Sequence, residues 1–385
     1  SDIHLKSYQQ QHALLTKDSI ETASAYVKNL NKIGVKAVEV ITNATILQET
    51  WRKEHQLPQN ISLQDIVIAQ IKEFNPEVVW IDDLSIVDVA WKAKLFKQVP
   101  TIKLFVGHHC APYNEGILEK LKLFDILFTC IPSLKTEFEK IGIETHLLYH
   151  GFEASILDKI NINNPFPSTD FLFSGSLFSG SGFDKTRIDY IENIIQSGIK
   201  IDLYCNLESF TKILVKKIFY HLITTLKKLK LDKVIEKIPV LRKNKAFGDI
   251  PIHFYSSKLI KNSRPPVFGH AMYQLLAKSN ICFNIHGEVA NKCAGNIRLF
   301  EATGVGTCLV TDWKDNITEL FEPDKEVVTY KTIDECIEKV KWLLKHPEER
   351  MLIAKAGQAR TLKNHTIENR VNVLNNILIS HRKFN

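Results

Sequence analysis

The chain has 385 residues, of which 44% are hydrophobic and 24% charged, and its formal net charge is +7. This composition is typical of a globular protein with room for two cores, and it excludes a disordered chain. No apolar run reaches the ~18 residues that a membrane-spanning helix needs, and a charge of +7 over this length does not require a nucleic-acid partner.

Cysteine usage and the first residues bear on the cellular compartment. The seven cysteines are scattered and include no C-x-x-C pair, which argues against a disulfide or zinc framework. Several lie in apolar strand patterns, where a free thiol behaves as a small hydrophobic group. The first residues show no charged-then-apolar signal pattern. We therefore expect a reducing, cytoplasmic location.

The first part of the chain alternates between helical and strand patterns. An amphipathic helix follows Ser19 and ends at Gly34, and an apolar strand is predicted at 35–41. The other elements predicted here are helices at 48–54 and 63–74 and strands at 76–83, 101–109, 125–130 and 145–149. Such alternation predicts a parallel sheet that is covered by helices on both faces.

Polar side chains follow two of these predicted strands. One strand ends in Asp82 and Asp83, and the next ends in His108 and His109. Because ligands of open parallel sheets lie beyond the carboxyl ends of the strands, we expect these side chains at the functional edge. Two structural alternatives stand beside that prediction: a strand-end aspartate can cap the following helix, and a loop histidine can bond only to backbone.

A second predicted α/β domain begins with a strand that runs into Gly175 and Ser176. Small residues continue as far as Gly182, and a helix follows from about residue 184. Backbone N–H groups of such a loop and of the helix start can bind a diphosphate. Lys185 and Arg187 are placed to neutralise its charge.

A basic insertion at about 207–247 interrupts the second domain. Between residues 212 and 245 it carries eleven Lys or Arg residues against two acids, interleaved with apolar residues at helical spacing. Such a helix can lie on an anionic membrane surface, and a solvated basic face over the domain core is the alternative. We expect no nucleic-acid binding, because few aromatic groups are available for stacking and no known motif accompanies them.

The segment 281–322 has the pattern strand, loop, helix, turn, strand. Its loop begins with His286, and helical spacing from Asn296 places Arg298 and Glu301 on one face. A carboxylate can accept both hydroxyls of a ribose, and a guanidinium can bind phosphate oxygens through paired hydrogen bonds. The alternative is a surface ion pair that contributes only a few tenths of a kcal/mol.

The run from Asn296 to Thr307, NIRLFEATGVGT, resembles the RxFEAxxxGxx core of GT-B glycosyltransferases. Specifically, it resembles the spore-maturation-type (CgeB-like) group, which is related to the retaining family 4 enzymes. The resemblance implies that Glu301 holds the ribose of a nucleotide-sugar donor and that the turn at Gly304 lets backbone approach the nucleotide. Retaining enzymes usually have a second, sugar-contacting glutamate at the position that Cys293 occupies here.

Other parts of the chain are similar to the same family. The strand-end histidine, His108 or His109, corresponds to one that touches the donor sugar. Residues 149–153, YHGFE, resemble the crossover between the two domains of that family, and Gly269 marks a close backbone approach to the donor. The final helix, at about 367–385, is expected to cross back onto the first domain.

The resemblance implies an α/β protein with the GT-B fold: two Rossmann-like doubly wound domains facing a central cleft. Residues 1–155 would form the acceptor domain. Residues 165–365 would form the nucleotide-sugar domain, after a polar linker at 161–169.

The implied reaction moves a sugar from a nucleotide-diphosphate donor to a saccharide or lipid-linked acceptor hydroxyl, as in bacterial cell-surface polysaccharide or glycolipid synthesis. Asn296 and Arg298 would bind the phosphates or the sugar, and His286 the donor sugar. No metal is expected, because amides and cations can stabilise the departing diphosphate. If configuration is retained, which we favour, His109 positions the sugar.

If configuration is inverted, a base must reach the acceptor, and His108, His109, Asp82 or Asp83 is the candidate. Two other functions stay open. A GT-B epimerase would carry extra carboxylates in both domains, and we find no equivalent cluster in the sequence. The second of these functions is that of a binding module that has kept the nucleotide site and has lost catalytic turnover.

Overall fold

The computed structural model describes residues 3–17, 23–160, 168–178, 182–249 and 251–382. The chain divides into two compact units. Unit 1 comprises Ser1–Lys159, Lys292–Glu301 and Arg360–Asn385, and unit 2 comprises Ile160–Asn291 and Ala302–Ala359. The segment that carries Arg298 and Glu301 is therefore grouped with unit 1, whereas the sequence placed it in the second domain.

A four-stranded parallel sheet, with strand order β1-β2-β3-β4, forms the centre of unit 1. The elements up to its last strand are α1 (Tyr8–Thr16), α2 (Ala23–Lys32), α3 (Thr45–Glu54), α4 (Leu63–Phe74), β1 (Val78–Ile81), α5 (Val89–Gln98), β2 (Leu104–His108), α6 (Glu115–Leu121), β3 (Ile126–Thr129), α7 (Pro132–Lys140) and β4 (Thr145–Leu147). The prediction for α4 is confirmed at both ends: the Ser62 hydroxyl accepts from the Asp65 N–H, and Asn75 ends the helix in the left-handed conformation.

The strand predicted at 35–41 is wrong, because these residues are irregular in the structure. A strand inside a parallel sheet is covered on both faces, so its apolar residues must be buried. None of residues 35–41 is buried, and Val38 is 53% exposed. Lys36 and Glu39 interrupt the apolar run, which explains why it does not join the sheet.

Unit 2 is built on a six-stranded parallel sheet with strand order β10-β9-β8-β5-β6-β7. From β5 to the end of the chain the elements are β5 (Thr169–Leu177), α8 (Gly182–Gln196), β6 (Asp202–Leu207), α9 (Phe210–Lys228), α10 (Asp232–Lys237), α11 (Pro239–Lys243), α12 (Ser257–Asn262), β7 (Ser263–Arg264), α13 (Gly269–Ala277), β8 (Ser279–Asn284), α14 (Arg298–Gly304), β9 (Cys308–Asp312), α15 (Ile317–Leu320), β10 (Val328–Tyr330), α16 (Ile333–Lys345), α17 (Pro347–Asn364) and α18 (Ile367–Arg382). No helix in the described part of the chain is long and apolar enough to cross a membrane.

Each sheet carries its own core. In unit 2, Phe171, Phe283 and Val310 on neighbouring strands are almost fully buried, as expected for parallel strands that are covered on both faces. In unit 1, Phe128 packs in a cluster that includes Leu374 of α18. The predicted α/β class with parallel sheets is confirmed.

Helix α18 packs on unit 1 and is fastened to the segment after β4. A Cβ on Gly151 would lie 2.9 Å from the backbone of Thr366, so only glycine fits this approach. Arg370 donates from Nε to the carbonyl oxygen of His150 over 2.9 Å, and its guanidinium lies 5.4 Å from the ring centroid of Phe300. These contacts hold the segment 292–301 and the final helix within the same unit.

Candidate functional site

The carboxyl ends of the unit 1 strands meet at one edge of the sheet, where ligands of such folds bind. Asp82 follows β1, His108 ends β2, Cys130 follows β3, and His150 follows β4. Cys110 lies two residues beyond His108. We call this group the unit 1 edge.

A continuous chain of polar contacts runs along the unit 1 edge. The indole Nε1–H of Trp80 donates to Asp82 Oδ1 over 2.8 Å, and His108 Nδ1 lies 3.1 Å from the same oxygen. His108 Nε2 lies 3.3 Å from the Sγ atom of Cys110. The backbone N–H of Cys130 donates to that sulfur over 2.8 Å. Both ring nitrogens of His108 are therefore engaged.

The charged groups along this series of polar contacts shift one another's pKa values. Burial alone would lower the pKa of His108, but Cys110 and Asp82 together raise it to about 10. Burial would raise the pKa of the Cys110 thiol, but Cys130 and His108 hold it well below its ordinary value. The pKa of Asp82 is also lowered, since its contacts with His108 outweigh burial. The imidazolium thus lies between a carboxylate and a thiolate.

His109 differs from its neighbour His108. Its backbone N–H donates to the carbonyl oxygen of Phe128 over 2.9 Å, and the residue is only 8% exposed. Burial lowers the pKa of His109, so the ring is neutral at pH 7. Its Nε2 atom is buried and has no hydrogen-bond partner among the described residues. Of the two histidines, His109 is the one that can bond to a ligand hydroxyl.

Asp83 has the capping role that the sequence offered as the alternative to a role in the site. Its Oδ1 accepts the backbone N–H of Ser85 over 2.9 Å, and its Oδ2 accepts the Thr42 hydroxyl over 2.7 Å. Burial would raise the pKa of Asp83, but these hydrogen bonds lower it. The carboxylate caps a turn, and both of its oxygens are occupied.

Arg298 and Glu301 form an internal ion pair rather than a surface pair. Arg298 Nη1 lies 2.6 Å from Glu301 Oε2, and the two side chains are 14% and 3% exposed. The contact is close, but no hydrogen bond of acceptable geometry reaches this oxygen, which is buried without a hydrogen-bond partner in the described structure. Asn296 is half-buried, and its carbonyl accepts from the Leu299 N–H over 3.2 Å.

Gly295 places this segment against the unit 1 edge. A Cβ on Gly295 would lie 2.4 Å from the carbonyl oxygen of Cys130 and 3.5 Å from the Tyr149 ring. The charge of Glu301 also contributes to the pKa of His150, which burial lowers. Sequence spacing alone did not indicate this proximity, since the residues involved are far apart in the chain.

The carboxyl ends of the unit 2 strands carry a second polar chain. His286 bonds to Asp312 Oδ1 through Nδ1 at 2.7 Å and through its backbone N–H at 2.9 Å. Lys314 Nζ lies 3.2 Å from Asp312 Oδ2 and donates to the carbonyl oxygen of Asn291 over 2.7 Å. Burial would raise the pKa of Asp312, but His286 and Lys314 hold it below its ordinary value. The His286 side chain is 0% exposed, so it orients Asp312.

A cavity of about 520 Å³ opens at this edge of unit 2. It is lined by Thr186, Tyr190, Ile285, His286, Gly287, Asn291, Asp312, Trp313, Lys314, Tyr330 and Lys331. The Lys331 ammonium lies 4.9 Å from the Trp313 ring centroid. Two lysines and an aromatic ring in one lining suit an anionic ligand that has a flat base or a sugar face. The sequence prediction missed Trp313, Lys314 and Lys331, although they directly follow strands.

Gly175 and Ser176 were predicted at the start of a diphosphate loop but lie within a strand, and their role in donor binding stays a prediction. Both residues lie inside β5 and pair with Cys205 and Asn206 of β6. The extended strand arises because the apolar alternation continues to Leu177, which is fully buried. The small residues 179–181 lie outside the described residues.

The two cations predicted beside that loop have different surroundings. Lys185 is half-exposed and forms an ion pair with Asp189 on the surface of α8. Arg187 donates from Nη1 to the carbonyl oxygen of Ser176 and from Nη2 to that of Ile285, each over 3.1 Å. Arg187 therefore links the ends of β5 and β8.

The two predicted site glycines begin and end helices. Gly269 starts α13 with a φ of 58°, in the left-handed region that favours glycine. Gly304 ends α14, and its carbonyl oxygen accepts from Gln358 Nε2 over 3.1 Å. Neither observation assigns a ligand contact.

The basic insertion folds as α9, α10 and α11 around a small core of Ile223, Ile235 and Leu241. One side of α9 is exposed to solvent. It carries an apolar side chain at every fourth residue: Phe210 (68% exposed), Leu214 (41%), Ile218 (57%) and Leu222 (44%). Beyond α9, the basic residues without an ion pair in the described structure are Lys230, Lys233, Lys237, Arg242 and Lys243. We call this face the basic apolar surface.

A family model described as glycosyl transferase-like matches residues 233–376, which is less than half of the chain. This range includes the segment with Arg298 and Glu301. No curated protein matches the sequence.

Solved structures are similar over most of the chain. HepE from Anabaena, crystallised in complex with UDP, has 13% identity and a TM-score of 0.55, covering 94% of this chain and 97% of its own. A glycosyltransferase from Rickettsia africae has 10% identity and a TM-score of 0.55, covering 96% of each chain. An alpha-glucosyltransferase in complex with UDP-glucose and DNA has 12% identity and a TM-score of 0.51, covering 82% and 83%. The chain therefore has the GT-B fold, with one parallel α/β sheet in each unit.

Proposed function

We propose that this protein is a glycosyltransferase that moves a sugar from a nucleotide-diphosphate donor to an acceptor hydroxyl. The observation that carries the proposal is a pair of buried atoms in unit 1, His109 Nε2 and Glu301 Oε2, that lack hydrogen-bond partners in the described structure. A buried polar atom without a partner costs about 1–3 kcal/mol, so a ligand that bonds to His109 Nε2 recovers that energy. Glu301 Oε2 is already ion-paired with Arg298, and a ligand would use the hydrogen-bonding capacity that the pair leaves. Hydroxyls of a sugar or ribose are suitable partners for both atoms.

Glu301 is proposed to accept the ribose hydroxyls, in line with the resemblance of its segment to GT-B enzymes. The carboxylate forms an ion pair with Arg298 at 2.6 Å, and both side chains are largely buried. Asn296, at the start of the same segment, is proposed to bind a phosphate or the sugar. The glycosyl transferase-like family match includes all three residues. The narrower spore-maturation-type assignment stays a prediction.

The cavity of unit 2 is proposed to hold an anionic part of a nucleotide ligand. Lys314 and Lys331 bring positive charge to it, and Trp313 offers a ring face. We propose that the leaving diphosphate needs no divalent metal ion, because fixed cations can stabilise its charge. Arg187 supports the cavity from below by bonding to the backbone of Ile285, a residue that lines it.

Retention of configuration is the proposed outcome. An inverting enzyme needs a base at the acceptor, and both oxygens of Asp83 are occupied. Both ring nitrogens of His108 are engaged as well. His109 is neutral and buried, which suits a group that positions a sugar.

The direct test is incubation with a panel of nucleotide sugars, measuring nucleotide diphosphate release with and without saccharide acceptors. UDP-glucose is the first donor to test, because HepE, which shares the fold, has been crystallised with it. Acceptor-dependent UDP release with a retained anomeric centre by NMR supports the proposal. A C2-epimerised sugar instead indicates an epimerase, and donor binding without turnover indicates a binding module.

Glu301→Gln tests the ribose role through UDP affinity, measured by calorimetry. We expect a tenfold to hundredfold weaker Kd, since a hydrogen bond to a charged group contributes about 1.5–3 kcal/mol. The matched control is Glu322→Gln, because Glu322 also pairs with a basic residue three positions along but is 56% exposed. Unchanged UDP affinity in Glu301→Gln would refute the assigned role.

We further propose that the basic apolar surface lies on an anionic membrane, where a lipid-linked acceptor would be found. The insertion combines exposed apolar side chains on α9 with basic residues that have no ion pair in the described structure, and both features are typical of an interfacial segment. The location would then be peripheral on the cytoplasmic face. The seven free cysteines agree with a reducing compartment.

Sedimentation with phosphatidylcholine vesicles, with or without phosphatidylglycerol, tests this surface. Ile218→Asp should lower binding to anionic vesicles about tenfold, because burying an isoleucine contributes about 1.5–3 kcal/mol. Leu352→Asp is the control, since Leu352 is 67% exposed on α17. Equal binding of both variants, or of wild type to both vesicle types, would reject the membrane surface.

A further inference from the structure

Three soft or borderline ligand atoms converge at the unit 1 edge. The Sγ atoms of Cys110 and Cys130 and a ring nitrogen of His150 all lie within 4.8 Å of one another. Cys130 is buried, and the other two residues are half-buried. We infer that this cluster binds a zinc ion, independently of the proposed glycosyl transfer.

His108 lies next to one of the three donors. Its Nε2 atom lies 3.3 Å from the sulfur of Cys110. In a tetrahedral zinc site, bonds of about 2.3 Å to sulfur and about 2.0 Å to nitrogen place neighbouring ligand atoms roughly 3.5 Å apart. The separation in the structure is therefore close to that of two ligands of one ion, and His108 adjoins, through Cys110, the three donors that lie within 4.8 Å of one another.

Asp82 supplies the outer contact that zinc-binding histidines usually have. Zinc-bound imidazoles donate their second ring N–H to a carboxylate or carbonyl, which fixes the tautomer and the ring orientation. Asp82 Oδ1 lies 3.1 Å from His108 Nδ1 and also accepts from the Trp80 indole. Nε2 of His108 is thereby directed to the cluster, and Asp82 acts as a positioning residue.

The chemistry of the donors selects the metal. Magnesium and calcium prefer oxygen ligands, whereas two thiolates with imidazoles suit zinc. The proposed zinc ion is therefore different from the magnesium ion that can bind a diphosphate. Because its ligands follow β2, β3 and β4, the zinc would join three strand ends. The site could not be predicted from the scattered cysteines, because its ligands follow separate strands and do not form a C-x-x-C pair.

The test is titration of the untagged, reduced, metal-free chain with cobalt(II) chloride and then zinc chloride. We expect one equivalent of cobalt to give a thiolate-to-cobalt charge-transfer band and tetrahedral visible bands, which zinc then removes. Zinc should also raise the Tm, because it binds the folded state. Cys130→Ser and His150→Gln should abolish or shift the bands, and Asp82→Asn should weaken zinc binding about tenfold to hundredfold.

Two controls make the result specific. Cys205→Ser changes a buried thiol of unit 2 and should leave the cobalt spectrum unchanged. His146→Gln alters a second group, in which Glu144, His146 and His381 lie within 4.8 Å but offer no sulfur. That variant should also keep the charge-transfer band. The zinc site would be overturned if the wild type lacked this band. It would also be overturned if the band were unchanged in a Cys130→Ser variant whose circular dichroism spectrum matches that of the wild type.

Discussion

The two parallel sheets differ in the polar groups that follow the carboxyl ends of their strands. At the edge of unit 2, His286, Asp312 and Lys314 bond to one another and to the backbone. At the edge of unit 1, His109 Nε2 and Glu301 Oε2 are buried without hydrogen-bond partners in the described structure. The network around Asp312 is complete, whereas His109 and Glu301 have hydrogen-bonding capacity left for a ligand.

This difference separates stability from binding. Groups that satisfy each other lower the free energy of the folded chain, and removing one leaves its partner buried and unpaired. Groups that lack partners raise that free energy and persist where function requires them. Substitutions in these two groups should therefore differ, with the larger loss of stability at Asp312 and the larger loss of activity at His109 and Glu301.

Asp312→Asn should produce the largest effect on stability. The carboxylate compensates Lys314 and orients His286, whose side chain is 0% exposed. Breaking a buried pair costs about 3–5 kcal/mol, so we expect the free energy of unfolding to fall by about 3 kcal/mol in urea titrations. Asp324→Asn is the control, because its pair with Lys339 is exposed and should contribute below about 1 kcal/mol. Equal losses in the two variants would show that the unit 2 network does not stabilise the chain.

Gly295→Ala should have the next largest effect, and it tests whether the segment 292–301 lies against the unit 1 edge. The new methyl group would meet the carbonyl oxygen of Cys130 at 2.4 Å, and a backbone atom cannot move aside cheaply. Overpacking of this kind costs about 1–3 kcal/mol, and we expect about 2 kcal/mol by urea unfolding together with weaker UDP binding.

Gly116→Ala is the matched control for this substitution. Its Cβ would meet nothing closer than 3.5 Å, and Gly116 lies in α6. Alanine should stabilise the helix by up to about 1 kcal/mol. A harmless Gly295→Ala would mean that the segment does not pack on Cys130.

Much of the fold could be predicted from sequence, because apolar runs and helical periodicity are local. The helix at Leu63–Phe74 and the buried strands around Phe128 and Val310 show this directly. The strand at 35–41 could not be rejected, since its apolar residues look like those of a buried strand until their exposure is known. Two short strands, Ser263–Arg264 and Val328–Tyr330, are too brief to give a pattern.

The candidate site was predictable only where one strand end carries recognisable chemistry. His108, His109 and Asp82 follow from the rule that ligands lie beyond strand ends. The grouping of Cys110 with Cys130 and His150 depends on three strands in register, which no single window of sequence contains. The start of the diphosphate loop was placed wrongly for a similar reason, because pairing with β6 keeps Gly175 and Ser176 in a strand.

His109→Phe should change stability little and activity strongly. It removes a ring nitrogen that has no partner, and phenylalanine fills a similar volume beside Tyr113 and Phe138. We expect the free energy of unfolding to stay within about 1 kcal/mol of wild type, while sugar transfer falls at least about a hundredfold. Stability comes from urea unfolding and activity from UDP release. A loss near that of Asp312→Asn would remove the contrast between the edges.

The smallest effect is expected for Glu153→Gln, a satisfied carboxylate of unit 1 that lies away from the edge. Glu153 Oε1 bonds to Lys28 Nζ at 2.8 Å and to the Ser155 hydroxyl at 2.7 Å, and Oε2 accepts from Asn29 Nδ2 at 2.7 Å. Burial would raise the pKa of Glu153, but these partners hold it below the ordinary value of 4.5. Because the folded pKa is depressed, the ionised form stabilises the chain at every pH above the unfolded value.

That contribution should disappear as the pH falls from about 4.5 through the lower folded pKa of Glu153. Urea unfolding near pH 7 should show wild type about 1 kcal/mol more stable than Glu153→Gln, and the gap should close in acid, since glutamine does not titrate. Lys28→Met removes the partner that lowers the pKa most, so its own gap from wild type should narrow in the same range. A gap that stays constant or widens on acidification would mean that the charge of Glu153 does not stabilise unit 1. In that case, the polar contacts around Glu153 would be as incomplete as those of the groups at the edge of unit 1.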